Sequence, residues 1–337
     1  MTKLFRKAAV FTDIHHGLKS NSVLHNQDCL DFIHWAVEKA KQEGCDTCIF
    51  SGDWHHNRAA INILTLNYSM RGLEHLGRSF DRVFVLAGNH DLYYKDKRDV
   101  QSVEWAKHIP NVQLINDWYQ EGDVVFAPWL VGDDHKKLAK KSGKYCFGHF
   151  ELPGYLMNAM VTMPDTGEAR REDLHGFEHV FTGHFHKRQT QNNVTYIGNA
   201  FPHDYADAGD DERGLMIMEW DKPPVFHAWP DQPTYRVLGL GSIVDNADQL
   251  LRPKMHLRIK IDIDLSYEEA NEIKTTFTDL YQLRELSLIA NKTVDAPDTL
   301  PGEITFESID TIVANQINAI SSEHYDRRLL LDIYRNC

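Results

Sequence analysis

Five short segments of the chain end apolar, β-rich runs in residues able to hold a cation. They are Asp13-Ile14-His15, Gly52-Asp53, Gly88-Asn89-His90-Asp91, Gly148-His149 and Gly183-His184-Phe185-His186. Carboxylate, amide and imidazole groups without a thiolate suit manganese, iron or zinc in a reactive centre rather than a structural zinc site. Residues two apart on a strand project to the same face, so Asp13 and His15 can reach one ion together. His184 and His186 leave their turn side by side and can serve adjacent ions. Asp53 is the natural bridge, because a carboxylate offers two oxygens. Two ions about 3.5–4 Å apart clamp a phosphate and activate water, so the set points to phosphoester chemistry. Each piece alone has a plainer reading. A strand-end Asp or His usually caps or faces solvent, and Gly-Asn is turn chemistry. Five segments of the right type, in order, make coincidence a poor explanation.

Such residues converge only if the strands that carry them end on one edge, as they do in layered α/β folds. The first 230 residues have the required alternation. Strands at 8–15, 47–53 and 82–91 are separated by helices around 26–43 and 59–76, with a third helix near 100–107. This spacing implies βαβ units with right-handed crossovers. Strand-rich sequence follows (VQLIND, DVVFAPWL, YCFGHFEL, HVFTGHFH, VTYIGN, GLMIMEW, PVFHAW), with a Lys-rich helix at 134–141. The expected fold class is α/β, a four-layer αββα sandwich of two mixed sheets with a small α+β C-terminal domain.

The character changes around Pro230–Pro233. HLRIKIDIDL (256–265) alternates apolar and polar positions like a half-exposed strand. Ser266 then caps a helix in which Glu269 completes a capping box. The expected division is a catalytic domain at 1–230, an α+β domain at 231–305 and C-terminal helices at 306–337.

Bulk properties constrain the class less sharply. A chain of 337 residues with 42% hydrophobic and 25% charged residues is ordinary for a globular protein. The formal net charge of −13 argues against a surface coated for nucleic acid. It does not exclude a nucleic-acid enzyme, since bound divalent metals are the largest local positive charges at many sites. Cys45 and Cys48 form a CxxC, but Cys48 reads as a buried position of a strand, and no second pair lies at zinc-site spacing. No run approaches the roughly 20 apolar residues of a membrane span. The N-terminus lacks a signal-like apolar core, so the cytoplasm, or the host cytoplasm if phage-encoded, is the expected location.

The ordered motifs D-x-H, G-D, G-N-H-[DE], H and G-H-x-H resemble those of the calcineurin-like metallophosphoesterase superfamily. The resemblance implies two divalent ions, manganese first, with magnesium, iron or zinc as alternatives. Asp13, His15, Asp53 and His186 would hold one ion; Asp53, Asn89, His149 and His184 would hold the other. His90 would be the general acid or transition-state stabiliser, with Asp91 orienting it. The second motif, GDWHHNR, departs from the GDxxDRG of serine/threonine phosphatases and resembles the GDLFH type of the SbcD-like nuclease branch. There His56 matches a phosphate-positioning histidine, and Arg58 and Lys187 are the best-placed basic residues. Lys95, Lys97, Arg98, Arg188 and the Lys136–Lys144 run are further basic neighbours.

That branch implies DNA exo/endonuclease activity in repair or recombination, a DNA-capping domain, and C-terminal helices docked on an SbcC-type coiled-coil ATPase. It also implies a homodimer within a heterotetramer, formed through residues 59–77 and 98–108. Ile61, Ile63, Leu64, Leu66, Met70 and Leu73 offer apolar surface there. Two other readings remain open: a small-molecule or cyclic-nucleotide phosphodiesterase or phosphatase, and a non-catalytic scaffold.

Overall fold

The computed structural model describes residues 3–157, 161–165, 169–261 and 265–290. Strands β1 (Lys7–Phe11), β2 (Thr47–Phe50), β3 (Arg82–Leu86) and β4 (Val112–Ile115) pair in parallel, in that order. Helix α1 (Val23–Glu43) crosses from β1 to β2, and α2 (Ile63–Ser79) from β2 to β3. Local chemistry sets their ends. The Ser22 hydroxyl accepts the His25 N–H at 3.3 Å, and Gly44 closes α1 in the left-handed conformation. The Asn62 side chain caps α2 by accepting the Leu64 N–H at 2.9 Å.

The second sheet holds β5 (Tyr119–Glu121), β6 (Val124–Ala127), β7 (Gly143–His149), β8 (Phe177–Gly183), β9 (Gln189–Gln191) and β10 (Val194–Tyr196). Its order is β5-β6-β7-β8-β10-β9, antiparallel at both edges and parallel between. Strands β11 (Gly214–Glu219) and β12 (Val225–Ala228) return to the first sheet, where β11 lies antiparallel to β1. Both sheets are therefore mixed, as expected.

Period-two alternation builds the layers. From β1, Ala8 and Val10 enter the core between the sheets, with Phe84, Phe126, Phe147 and Phe181. Ala9 and Phe11 point the other way, against Phe32, Ile33, Leu73 and Leu76 of the helices. The outer face of the second sheet is covered by α3 (Asp134–Leu138) and by loops carrying Phe150, Leu152, Tyr155 and Leu174. This fourth layer is thin. The expected helix at 134–141 stops at Leu138, where the chain tightens into Lys140 N–H to Lys137 carbonyl and Lys141 N–H to Leu138 carbonyl bonds.

The helix expected near 100–107 is only a 3₁₀ turn, Glu104–His108. The chain before it is spent elsewhere: Gln101 bridges Leu92, and the Ser102 N–H donates to the Asp91 carbonyl. Cys45 and Cys48 are both free, with Cys48 buried in β2. Burial pushes the Cys45 thiol up to about 12 and Cys48 higher still, which makes both poor nucleophiles.

After β12 the chain forms β13 (Thr234–Gly239), α4 (Leu240–Leu250), β14 (Met255–Ile261), α5 (Tyr267–Tyr281) and β15 (Glu285–Ala290). The three strands are parallel in the order β13-β14-β15. In β14, Met255, Leu257 and Ile259 are buried while Arg258 and Lys260 are exposed, which is the alternation its sequence carries. The Ser266–Glu269 capping box is formed in both directions. The expected C-terminal helices at 306–337 lie outside the described residues. No helix among the described residues is long and apolar enough to cross a membrane.

Candidate metal centre

The seven residues singled out by spacing come together at the C-terminal ends of β1, β2, β3, β7 and β8. The backbone there is contorted to aim them: Asp13, His15, Asp53 and His184 all take positive φ, between 51° and 93°. Non-glycine residues rarely adopt that region, and functional sites are where it concentrates. Two glycines make the approach possible. Gly52 has φ 103°, and an added Cβ would meet His149 Nδ1 at 2.4 Å; one on Gly88 would meet Asp53 Oδ1 at 2.2 Å.

Asp53 sits between two groups of donors. Its Oδ2 lies 3.6 Å from His15 Nε2 on one side and 3.4 Å from His149 Nε2 on the other. On the first side, Asp13 Oδ1 is 3.8 Å from His15 Nε2 and 3.9 Å from His186 Nε2. On the second side, Asn89 Oδ1 is 3.0 Å from both His149 Nε2 and His184 Nδ1. Asp13–His15–Asp53 and Asp53–His149–His184 each place three donor atoms within 4.8 Å of one another.

Proton placement tests whether this set fits cations. His149 Nδ1 lies 2.8 Å from the Ser51 carbonyl and donates to it, so in the neutral ring, the form that binds a metal, Nε2 carries the lone pair. His184 Nε2 faces the Glu151 carboxylate at 3.0 Å, which leaves Nδ1 as a lone pair. Both lone pairs then converge on Asn89 Oδ1 and Asp53 Oδ2, which are also acceptors. On the other side, neither ring nitrogen of the 3%-exposed His15 has a hydrogen-bond partner. Acceptors packed against acceptors, buried, are unfavourable until a cation joins them. The donor set fits two divalent ions.

Electrostatics agree. Burial pushes Asp13 upward, but the neighbouring His15 and His149 imidazoles outweigh it and hold the carboxyl at about 2. Burial lowers His149, yet the Asp53 and Asp13 carboxylates outweigh it and raise the imidazole to about 9, a mark of the negative charge gathered here.

Asp91 does not orient the His90 ring. Its carboxylate accepts the backbone N–H groups of Asp53, Trp54, His55 and Gly88 at 2.9–3.2 Å, locking the second motif onto the third. Burial, then the Asp53 charge, raises it to about 6. His90 instead donates through Nδ1 to the His56 carbonyl at 2.7 Å, and the His56 ring stacks on it with centroids 5.2 Å apart. His55 is structural: its ring nitrogens lie 2.8 and 2.7 Å from the Ser102 and Ser69 hydroxyls.

The basic neighbours divide. Half-buried Arg58 has an Nη1 without a partner. Lys95 lines a cavity of about 520 Å³ with Trp129, His149 and Glu151, beside the second donor group. Lys187 lines a different cavity of about 440 Å³ whose wall carries Asp207, Asp210, Asp211 and Glu212. Arg98 is consumed by Asp134, Asp117 and the Trp129 carbonyl, and Arg188 by the Phe226 ring and two backbone carbonyls. Lys136, Lys137 and Lys144 are each paired with carboxylates.

Three residues of the site escaped the sequence reading. Glu151 stands two positions after His149, a spacing that hinted at a shared face. The Trp129 ring packs 5.0 Å from His184 and no motif marks it. His203 is buried beside His15 and His186, and the three place ring nitrogens within 4.8 Å of one another. Burial holds the His203 imidazole well below its usual range.

A sandwich of two mixed sheets that gathers seven carboxylate, amide and imidazole groups at its strand ends defines a dimetal phosphoesterase. The calcineurin-like phosphoesterase family model matches residues 6–188, and the chain belongs to that family. It is a metal-dependent enzyme of phosphate esters, in a family that works through a dimetal centre. Over 330 residues the chain is 26% identical to exonuclease subunit 1 of Enterobacteria phage T4, covering 91% of each chain. Among solved structures it is similar to a dimetal phosphatase from Danio rerio (TM-score 0.42, 12% identity, 66% of this chain and 95% of that one). It is also similar to Yfce, a phosphoesterase from E. coli (TM-score 0.34, 14% identity, 67% of this chain and 94% of that one).

Proposed function

We propose that this chain is the nuclease subunit of a DNA repair or recombination complex, hydrolysing phosphodiester bonds with two manganese ions. The observation that carries the reading is similarity to an exonuclease subunit across 91% of both chains, well past the catalytic domain. The seven residues Asp13, His15, Asp53, Asn89, His149, His184 and His186 are its metal ligands. Two ions held by these residues would supply positive charge to offset the phosphate and a Lewis acid for the attacking water.

The chain's own groups do the rest. With Nδ1 held by the His56 carbonyl, His90 presents Nε2 to the leaving oxygen as general acid. His56 stacks behind it and meets the phosphate, and Arg58 offers a free guanidinium N–H. Lys187 is a weaker phosphate contact, because the carboxylates around its cavity offset its charge.

Residues 1–230 form the catalytic domain and 231–305 a cap over DNA, while 306–337 dock on an SbcC-type ATPase. Ile63, Leu64 and Met70 stay exposed on α2, which favours a homodimer through this helix; Leu73 is spent on the chain's own core. The 3₁₀ turn at Glu104–His108, with Ala106 buried, adds little to such a face. The site of action is the cytoplasm, that of the host for a phage protein.

The deciding assay is manganese-dependent cleavage of duplex and hairpin DNA, with and without chelator. Cleavage abolished by chelator is expected. No DNA cleavage, beside fast turnover of nucleotides or phosphopeptides, overturns the reading. Copurification of a large coiled-coil ATPase tests the partner.

A further inference from the structure

His203 is a buried polar group that the seven-residue set leaves unexplained. It is 2% exposed, and neither of its ring nitrogens has a hydrogen-bond partner. A buried group left unsatisfied is unfavourable, so an imidazole in this position calls for a partner that the described residues do not supply. Its surroundings say which kind. The ring packs edge-on against His15 and His186, with centroids 5.4 and 5.2 Å away, and its other neighbours are His25 and Phe201. Among the described residues, no carboxylate or carbonyl is in hydrogen-bond reach of the ring. The nearby polar atoms are the nitrogens of His15 and His186, which are themselves candidate ligands.

The position of His203 is fixed from outside the catalytic domain. The Tyr235 hydroxyl, on β13 of the small C-terminal unit, donates to the His203 carbonyl at 2.8 Å. Tyr235 is buried and stacks on His256 of β14, with centroids 4.5 Å apart and planes within 7°. The His203 N–H is held in turn by Asp207, at 2.9 Å. Backbone anchors on both sides aim the ring at the centre.

We propose that His203 is an eighth donor of the centre, giving an imidazole nitrogen to the ion held by Asp13, His15 and His186, with Tyr235 as its positioning residue. The proposal rests on the ligand reading above. It makes the small C-terminal unit part of the metal centre's support, so that docking of this unit and occupancy of the first ion are coupled.

The test uses the full chain, stripped with chelator and titrated with manganese in a calorimeter. The wild type is expected to bind two ions. His203→Ala and His203→Gln should weaken one site by at least the roughly 10–100-fold that loss of an outer-shell partner costs, and leave the other unchanged. Tyr235→Phe should weaken the same site, by less. In the cobalt-loaded wild type, labelled at histidine nitrogen, the His203 ring N–H should appear among the paramagnetically shifted imidazole signals. That measurement needs no variant to fold. Two-ion binding with unchanged affinities in both His203 variants overturns the proposal, as does an unshifted His203 signal. A wild type that fails to bind two ions sinks the underlying ligand reading instead.

Discussion

The protein contains two buried polar clusters of opposite character, barely separated in space. At the junction with the C-terminal unit, two carboxylates are each met by arginine side chains. Asp28 of α1, 2% exposed in its side chain, is met in fork fashion by Arg284, with one N–H to Oδ1 at 2.6 Å and a second to Oδ2. Asp211 is held between Arg236 and Arg252. At the candidate metal centre, Asp13, Asp53 and His149 crowd together with His15 and His203, whose ring nitrogens have no hydrogen-bond partner among the described residues. A satisfied cluster is a fastening. A cluster with lone pairs left over is waiting for a ligand. Removing one member should therefore have different consequences at the two places.

The largest effect belongs to Asp53→Ala. Because this carboxylate faces both donor groups, its loss should abolish binding of both ions, while the fold, which relies on other contacts, survives. Calorimetry with manganese checks binding and circular dichroism checks the fold. Retention of both ions would remove Asp53 from the bridging role. Next comes His90→Ala. This variant should keep both ions and lose roughly 10²–10⁴-fold in turnover, the usual contribution of a positioned acid. Parallel loss of metal would mean that His90 serves the ions rather than the leaving group.

How much of this was visible in the sequence follows from the same contrast. The candidate metal centre was legible because four of its five segments mark a strand end with glycine, where spacing and residue type report position directly. The layers were legible too, since the alternation of Ala8-Ala9-Val10-Phe11 says which side chain faces which core. Contacts between distant segments were not. Nothing in the sequence ties Arg284 to Asp28, 256 positions away, or brings His203 to His15. Adjacency even misled: Asp91 follows His90 in the chain, but in the turn their side chains part, one to backbone amides and the other to the His56 carbonyl. The short edge strands β5 and β9, three residues each, are too brief to show a period. Strand β13 and helix α4 were missed because Gly239 and Gly241 interrupt the pattern where one passes into the other.

The junction supplies the third test. Arg284→Met leaves the Asp28 carboxylate buried without its partner, which should cost about 3–5 kcal/mol in urea unfolding. The double variant with Asp28→Leu should recover much of it, because a well-packed apolar pair replaces a buried ion pair at little loss. A single variant costing less than about 1 kcal/mol would show that water reaches Asp28, and the contrast with the metal centre would weaken.

The smallest effect is the pH dependence of the Asp211 fork. Burial raises this carboxyl, but Arg236 and Arg252 outweigh it and hold it below the ordinary range. A group whose folded-state pKa is depressed stabilises above its unfolded pKa, about 3.9 for aspartate, and loses that contribution as pH falls toward the folded value. The wild type should therefore exceed Asp211→Asn by about 1 kcal/mol at neutral pH, the upper end for part-exposed pairs. The gap should stay level down to roughly pH 4 and close below it. Because Arg252 is 48% exposed in its side chain, added salt should narrow the gap as well. A gap that ignores both pH and salt would mean that Asp211 acts through packing, and this fastening would then be apolar in origin rather than ionic.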